Sequence, residues 1–290
     1  MTTILVTGTS GHLGRLVVES LLENGTSPGD IVATARDISA IADLADRGVT
    51  TRTADYADAA SLDAAFDGVD RVLLVSGSEV GQRVAQHTNV IDAAQRAGVE
   101  LLAYTSIPKA DASSLGLAVE HQATEQVLAA SGVPYALLRN GWYFENYTAQ
   151  IPVQLEHGVV LGAAGDGKVS GASRGDYAAA AAAVLVADDQ AGRTYELGGE
   201  PAFTLAEYAA ALATASGSPV TYQDLTPSDY AAALASNGVP QQFADLLADS
   251  DRGIAAGELF VDSGDLTKLI GRPTATLAGP SAGSRRPTPR

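Results

Sequence analysis

The stretch Ile4-Leu5-Val6-Thr7-Gly8-Thr9-Ser10-Gly11-His12-Leu13-Gly14 decides the fold. Its first three residues are apolar without alternation, the pattern of a strand covered on both faces, as in a parallel sheet. Glycines then fall at 8, 11 and 14, and the amphipathic run Leu13–Glu23 reads as a helix. Missing side chains let the backbone turn tightly and come close to a pyrophosphate, which would rest on the free N–H groups that open the helix. A glycine triplet alone is weak evidence. The strand before it and the helix after it give the context of a dinucleotide-binding βαβ unit, against the alternative of an ordinary strand-to-helix turn.

The same rhythm continues outward. Ile31–Ala35, Arg71–Val75 and Leu101–Thr105 read as further buried strands, and Ile38–Arg47, Ser61–Phe66 and Gly81–Ala97 as helices between them. Strand–helix alternation predicts an α/β fold with a doubly wound parallel (Rossmann) sheet. A helix over Ala118–Ala130 leads to a strand at Tyr135–Arg139. Beyond it the chain turns to aromatics and glycines, with Gly162-Ala163-Ala164-Gly165-Asp166-Gly167 as a loop signal. A helix at Tyr177–Ala187 and a strand at Arg193–Leu197 follow, then a mainly helical stretch from Thr204 to Leu269 with one strand near Val220–Tyr222. The expected organisation is a dinucleotide-binding domain over 1–150, to whose sheet 172–198 returns. A smaller, mainly helical C-terminal lobe on the substrate side takes 151–171 and 199–278, and 279–290 reads as a disordered tail.

Composition narrows the function. The chain carries 34 acidic and 18 basic residues among 290, a net charge of −16. That balance argues against a nucleic-acid partner, which wants a basic face. With 46% hydrophobic and 18% charged residues the chain can bury a large core. It has no cysteine, which removes disulfides, thiolate nucleophiles and cysteine metal sites. No apolar run approaches the roughly 20 residues that cross a bilayer, and the chain opens straight into a strand. A cytoplasmic protein, with no membrane partner, is the expectation.

The ends of the other strands refine the ligand. A carboxylate closing the second strand would suit the ribose of NAD, whereas arginine suits the 2′-phosphate of NADP. Here Ala35-Arg36-Asp37 stands there, so NADP(H) is preferred and NAD(H) accommodated, with Arg36 paired to the phosphate. The competing reading is a solvated Arg36–Asp37 pair. Tyr56 is placed beside the adenine, and Ser76, Gly77 and Ser78, with Thr105, beside the ribose and nicotinamide. With Gly8, Thr9, Ser10, Gly11, His12 and Leu13 they form the expected cofactor set.

The catalytic inventory is thin. None of the ten tyrosines begins a Tyr-x-x-x-Lys pair; the nearest miss, Tyr104 with Lys109, is interrupted by Pro108. Gly8–His12 shares the outline of a nucleophile elbow but has histidine where glycine is needed. The four histidines show no metal-ligand spacing, and His121 with Glu125 reads as a surface pair one helical turn apart. No metal is expected. Quinone reduction tolerates such a site, because the hydroquinone product is a stable aromatic and water supplies the protons. It asks the protein for alignment and exclusion of water. Trp142, Tyr143, Phe144 and Asn146, just after a strand end, suit an acceptor pocket, or else a structural aromatic cluster.

The chain resembles the bacterial type 2 NAD(P)H:quinone oxidoreductases of the NmrA-like branch of atypical short-chain dehydrogenases. The segments that carry the resemblance include Ser78–Arg83 with Gln86-His87, Leu115-Gly116-Leu117 through Glu120-His121, Leu137–Tyr143, Glu145-Asn146-Tyr147, Leu155–Val159, Gly162–Lys168, Leu247–Asp251 and Leu269–Thr274. They run in order from about Ile4 to Leu277. The resemblance implies NADPH-dependent reduction of quinones or dyes without a flavin, and a nicotinamide held near Asn140, Gly141, Trp142 and Tyr143. The chain departs from the family at Arg36-Asp37-Ile38, where an Arg-Asn-Pro-like sequence is common, at Ser10 (commonly threonine) and at Gly77 (commonly serine). Two alternatives stay open: a dinucleotide-binding redox sensor without turnover, and a dye or azo-compound reductase. A monomer or a homodimer fits equally.

Overall fold

A computed structural model describes residues 2–279; of the expected tail, only Gly279 lies within them. In chain order the elements are β1 (Ile4–Val6), α1 (His12–Glu23), β2 (Ile31–Ala35), α2 (Ala42–Asp46), β3 (Thr50–Thr53), α3 (Ala59–Phe66), β4 (Arg71–Leu74), α4 (Arg83–Ala97), β5 (Leu101–Ser106), α5 (Gly116–Ser131) and β6 (Tyr135–Asn140). Then come α6 (Phe144–Thr148), α7 (Ile151–His157), β7 (Val159–Gly162), α8 (Arg174–Val186), β8 (Thr194–Leu197), α9 (Leu205–Ser216), β9 (Thr221–Asp224), α10 (Pro227–Ser236), α11 (Gln241–Ala255) and α12 (Asp265–Ile270).

Seven strands form one sheet in the order β3-β2-β1-β4-β5-β6-β8. The pairs β1–β2, β1–β4, β2–β3, β4–β5 and β5–β6 are parallel. The chain winds one way from β1 to β3 and the other way from β4 on, the doubly wound order expected. Every residue of β1, β2 and β5 is buried, as continuous apolar strands covered on both faces must be. At one edge β3, Thr50-Thr51-Arg52-Thr53, lacks that apolar run and is half-exposed. One face of the sheet is covered by α3 and α4 around Leu62, Phe66, Val90, Ile91 and Tyr104. On α8, the buried alanines 178, 180, 181 and 182 let α1 pack close.

The chain divides into two compact units. The first comprises the residues up to Ile107, Glu120–Asn140 and Arg174–Tyr195; the second comprises Pro108–Val119, Gly141–Ser173 and the described residues from Glu196 on. In the second unit β7 and β9 pair in parallel, Val159 with Thr221 through Gly162 with Asp224. Around them α9 starts at a capping box of Thr204 and Glu207, and α10 is capped by Thr226. Tyr230, Ala231, Ala244 and Ala248 form a core between α10 and α11. The stretch 140–171 is more ordered than its composition suggests: it holds α6, α7 and β7, each only four to seven residues long. Elements that short leave little periodicity to read.

Candidate functional site: a glycine cradle and an aromatic cluster

At the C-terminal end of β1, Gly8 adopts φ +62°, a left-handed conformation that L side chains rarely adopt. The turn brings Gly14 beneath it. A Cβ on Gly14 would stand 2.6 Å from the Gly8 carbonyl oxygen and 2.7 Å from that of Thr7, so only glycine fits. Thr9 ties the turn to β2, donating from both its amide and its Oγ1 to the Thr34 carbonyl at 2.9 Å. Ser10, Gly11 and His12 are exposed, whereas Leu13 and Gly14 face inward. Gly11 is the N-cap of α1 and brings no side chain to the first-turn N–H groups, which have no intrahelical partner. The arrangement is an exposed set of donors at the positive end of a twelve-residue helix, suited to a phosphate.

The neighbouring strand ends complete the edge. Arg36, just beyond β2, is exposed and lies 3.3 Å from Glu79; a pair this exposed holds it weakly. Asp37 is engaged elsewhere, its Oδ1 accepting the Ser39 N–H at 2.9 Å as the cap of a short 3-10 turn. The solvated Arg36–Asp37 pair is therefore not formed, and Arg36 is the group that reaches outward. The Tyr56 hydroxyl lies 2.5 Å from Thr7 Oγ1 and 2.8 Å from the Val75 carbonyl oxygen, two acceptors that share its one proton. The hydroxyl lies 3.8 Å from where a Gly8 Cβ would be, so it braces the floor of the turn. Burial pushes its pKa up. After β4, Thr7 Oγ1 accepts the Val75 N–H at 3.0 Å and Thr105 Oγ1 the Ser76 N–H at 2.8 Å. Gly77 is half-buried and Ser78 exposed. At the end of β6 the Asn140 side chain is buried, and its Oδ1 has no hydrogen-bond partner among the described residues. A buried carbonyl left so is costly unless a ligand or water serves it.

The remaining candidates, Gly141, Trp142, Tyr143, Phe144 and Asn146, belong to the second unit. Tyr143 is an extended residue that opens α6 and bridges to Ala172; Trp142, Tyr143 and Asn146 are half-buried. The Phe144 ring stacks on Phe203 at 5.6 Å between centroids. Tyr147 packs edge-on against Phe203 at 6.0 Å and lies 5.2 Å from Tyr208. Tyr208 donates to Gln154 Oε1 at 2.8 Å. The buried Tyr147 hydroxyl has no hydrogen-bond partner among the described residues, and burial raises its pKa well above the ordinary phenol value. Phe203 and Tyr208 escaped the sequence reading because each sits at a spacing that reads as helix or loop core.

Tyr104 and Lys109 are both spent elsewhere: the buried Tyr104 hydroxyl bonds His121 Nδ1 at 2.7 Å, and Lys109 Nζ donates to the Gly257 carbonyl at 2.9 Å. The surface pair expected of His121 and Glu125 is overturned. His121 is buried, and Glu125 receives Arg139 through Nη2 at 2.7 Å and Nε at 3.1 Å, and Ser106 Oγ at 2.6 Å. Helical spacing placed both on one face, but that face turns toward the sheet.

The family model of the NmrA-like family matches residues 1–259. Quinone oxidoreductase 2 of Escherichia coli (strain K12) is 54% identical over 275 residues, covering 95% of this chain and 96% of that protein. The crystal structure of an NADPH-dependent quinone oxidoreductase from Escherichia coli, complexed with NADPH, superposes with a TM-score of 0.93 at 54% identity over 95% of this chain and 97% of that one. A triphenylmethane reductase from Citrobacter sp., complexed with NADP(H), superposes with a TM-score of 0.91 at 35% identity over 95% of this chain and 98% of that one. The extent of these matches and the glycine cradle agree: this chain belongs to the NmrA-like family, on the branch that holds Quinone oxidoreductase 2.

Proposed function

We propose that this protein is an NADPH-dependent reductase of quinones and related dyes that works without a flavin or a metal. The carrying observation is the cradle of Gly8, Gly11 and Gly14 at the head of α1, in a chain more than half identical to an enzyme named for this reaction. With its pyrophosphate in the cradle, bound NADPH would supply a hydride, and one proton from solvent would complete the conversion of quinone to hydroquinone, leaving NADP+.

The chain's own residues bind and align. The first-turn N–H groups of α1, with Gly8, Thr9, Ser10, Gly11, His12 and Leu13 around them, take the pyrophosphate. Arg36 takes the 2′-phosphate, exchanging its weak contact with Glu79 for a bidentate one. Ser76, Gly77, Ser78 and Thr105 border the ribose and nicotinamide. Asn140 offers its unserved Oδ1 to a ligand donor, and Gly141 to Tyr143 follow it. Trp142, Tyr143, Phe144 and Asn146 contact the acceptor, and the Tyr147 hydroxyl is available as a donor to its carbonyl. The first unit is the dinucleotide-binding body and the second carries the acceptor residues. Among the described residues no cluster of three or more His, Cys, Asp or Glu could hold a metal, and no helix is long and apolar enough to cross a membrane. A cytoplasmic site of action suits both cofactor and acceptor.

The test is oxidation of NADPH, followed by its absorbance, with and without a small benzoquinone and repeated with NADH. Turnover requiring protein and acceptor, and faster with NADPH, is the expected result. Tight NADPH binding without turnover on any quinone or dye would transfer the reading to a redox sensor.

A further inference from the structure

Between β4 and α4 the chain has no regular structure, yet the backbone that leaves β4 is held by side chains. Three successive N–H groups are each received by a neutral side-chain atom: Val75 by Thr7 Oγ1, Ser76 by Thr105 Oγ1 and Gly77 by His87 Nε2 at 3.0 Å. Gly77 is gripped twice, because Arg83 Nε donates to its carbonyl at 2.5 Å. Arg83 and His87 lie four residues apart on α4, hence on one face, and together they read both polar groups of a single loop residue.

The imidazole is locked. Since Gly77 N–H donates to Nε2, that nitrogen bears no proton, and Nδ1 carries it toward Thr124 Oγ1 at 3.0 Å. Thr124 in turn donates its own proton to the Glu120 carbonyl at 2.8 Å. Every donor in the relay has an acceptor, and His87 is fully buried. A carboxylate could accept the same N–H, but it would set a negative charge close to a ligand that is itself anionic. A neutral imidazole holds the loop without that repulsion. A Cβ on Gly77 would lie 3.2 Å from Gln86 Oε1 and 3.7 Å from His87 Nε2, so the grip is close on both sides.

We propose that His87 is a positioning residue that fixes Gly77, and through it the segment bordering the nicotinamide half of NADPH; the inference rests on the cofactor reading above. The experiment uses the full chain and the variants His87→Leu, His87→Gln and Thr124→Val. Thermal melting first confirms that each is folded. Calorimetric titration then compares NADPH with adenosine 2′,5′-bisphosphate, which lacks the nicotinamide half. His87→Leu should weaken NADPH about tenfold, as loss of a buried hydrogen bond predicts, while the bisphosphate stays within about twofold. His87→Gln, whose amide oxygen can accept the Gly77 N–H, should recover to within about threefold of the parent. Thr124→Val, which leaves Nδ1 unserved, should fall between. Parallel weakening of both ligands, or unchanged NADPH affinity in His87→Leu, overturns the proposal. Should His87→Leu not fold, unchanged NADPH affinity in Thr124→Val overturns it. A parent chain that does not bind NADPH removes the cofactor reading instead.

Discussion

Two glycine-rich loops of similar length, Gly8–Gly14 in the first unit and Gly162–Gly167 in the second, meet opposite fates. The first spends only backbone carbonyls on its own donors, Thr34 for the Thr9 N–H and Gly8 for the Gly11 N–H; Ser10, Gly11 and His12 are exposed and the helix it opens has no side-chain cap. The second has its donors filled from within. Ala163 N–H is received by Asp251 Oδ2 at 2.7 Å, Ala164 N–H by Tyr222 Oη at 3.1 Å and Gly165 N–H by Asp224 Oδ1 at 2.9 Å. Its last glycine donates to the Ala164 carbonyl at 2.9 Å. Two acids and a phenol occupy the place an anion would need. Glycine density therefore reports a backbone that bends, and the charge of the groups beneath it decides whether a phosphate can follow.

Glycine substitutions separate the two loops most sharply. Gly14→Ala forces a methyl against two carbonyl oxygens in the cradle. It should lower stability by about 1–3 kcal/mol and abolish NADPH binding, read by melting and by titration. Gly167→Ala presses on the Ile254 backbone. It should cost similar stability while the folded fraction still binds NADPH; parallel loss of binding in both would erase the distinction between the loops.

Acid separates the units next. In the first, burial and the nearby Arg83 charge lower His87 to about 4, and burial, Arg83 and His87 lower His121 to about 3. The unfolded chain binds these protons below about 6.5 and the native one does not. Their contribution is complete above that pH and drains away as pH falls toward 3, by several kcal/mol across the pair. Arg83 and Glu120 face the same cluster. Urea unfolding at stepped pH measures the slope, and His121→Gln should flatten it.

Asp251 behaves in the opposite sense. Burial, opposed by the Ala163 N–H and helped by the Asp224 charge, raises it to about 6. Between about pH 4 and 6 the native chain keeps a proton that the unfolded chain has lost, so this group costs stability as pH rises through that window. Asp251→Asn retains an acceptor for Ala163 and removes the charge. It should gain about 2 kcal/mol near neutrality and nothing at about pH 4; equal effects at both would show that packing, not charge, governs the site. The smallest effect concerns selectivity. Arg36→Ala should weaken NADPH about tenfold and NADH hardly at all, consistent with loss of one charge-assisted contact; equal losses would remove Arg36 from the 2′-phosphate.

What could be read in advance follows from physics that is local in sequence. The buried strands Ile4–Val6 and Ile31–Ala35 are apolar end to end, and the glycine triplet declares its own turn. The short elements between 144 and 162 are illegible in the sequence because helices of one or two turns carry no periodic signal. His121 and Glu125 misled because spacing gives which residues share a face, never what that face meets.

Local pattern is enough for the buried strands, the turn at Gly8 and the position of Arg36 at a strand end, since each depends on neighbours a few residues away. The fold places Arg36 beside Glu79 and His87 against Gly77. It alone decided that Asp251, 88 residues beyond Ala163, fills the second loop. Those outcomes rest on hydrogen bonds between elements distant in the chain, and burial, which gives such bonds their strength, exists only once the chain has folded.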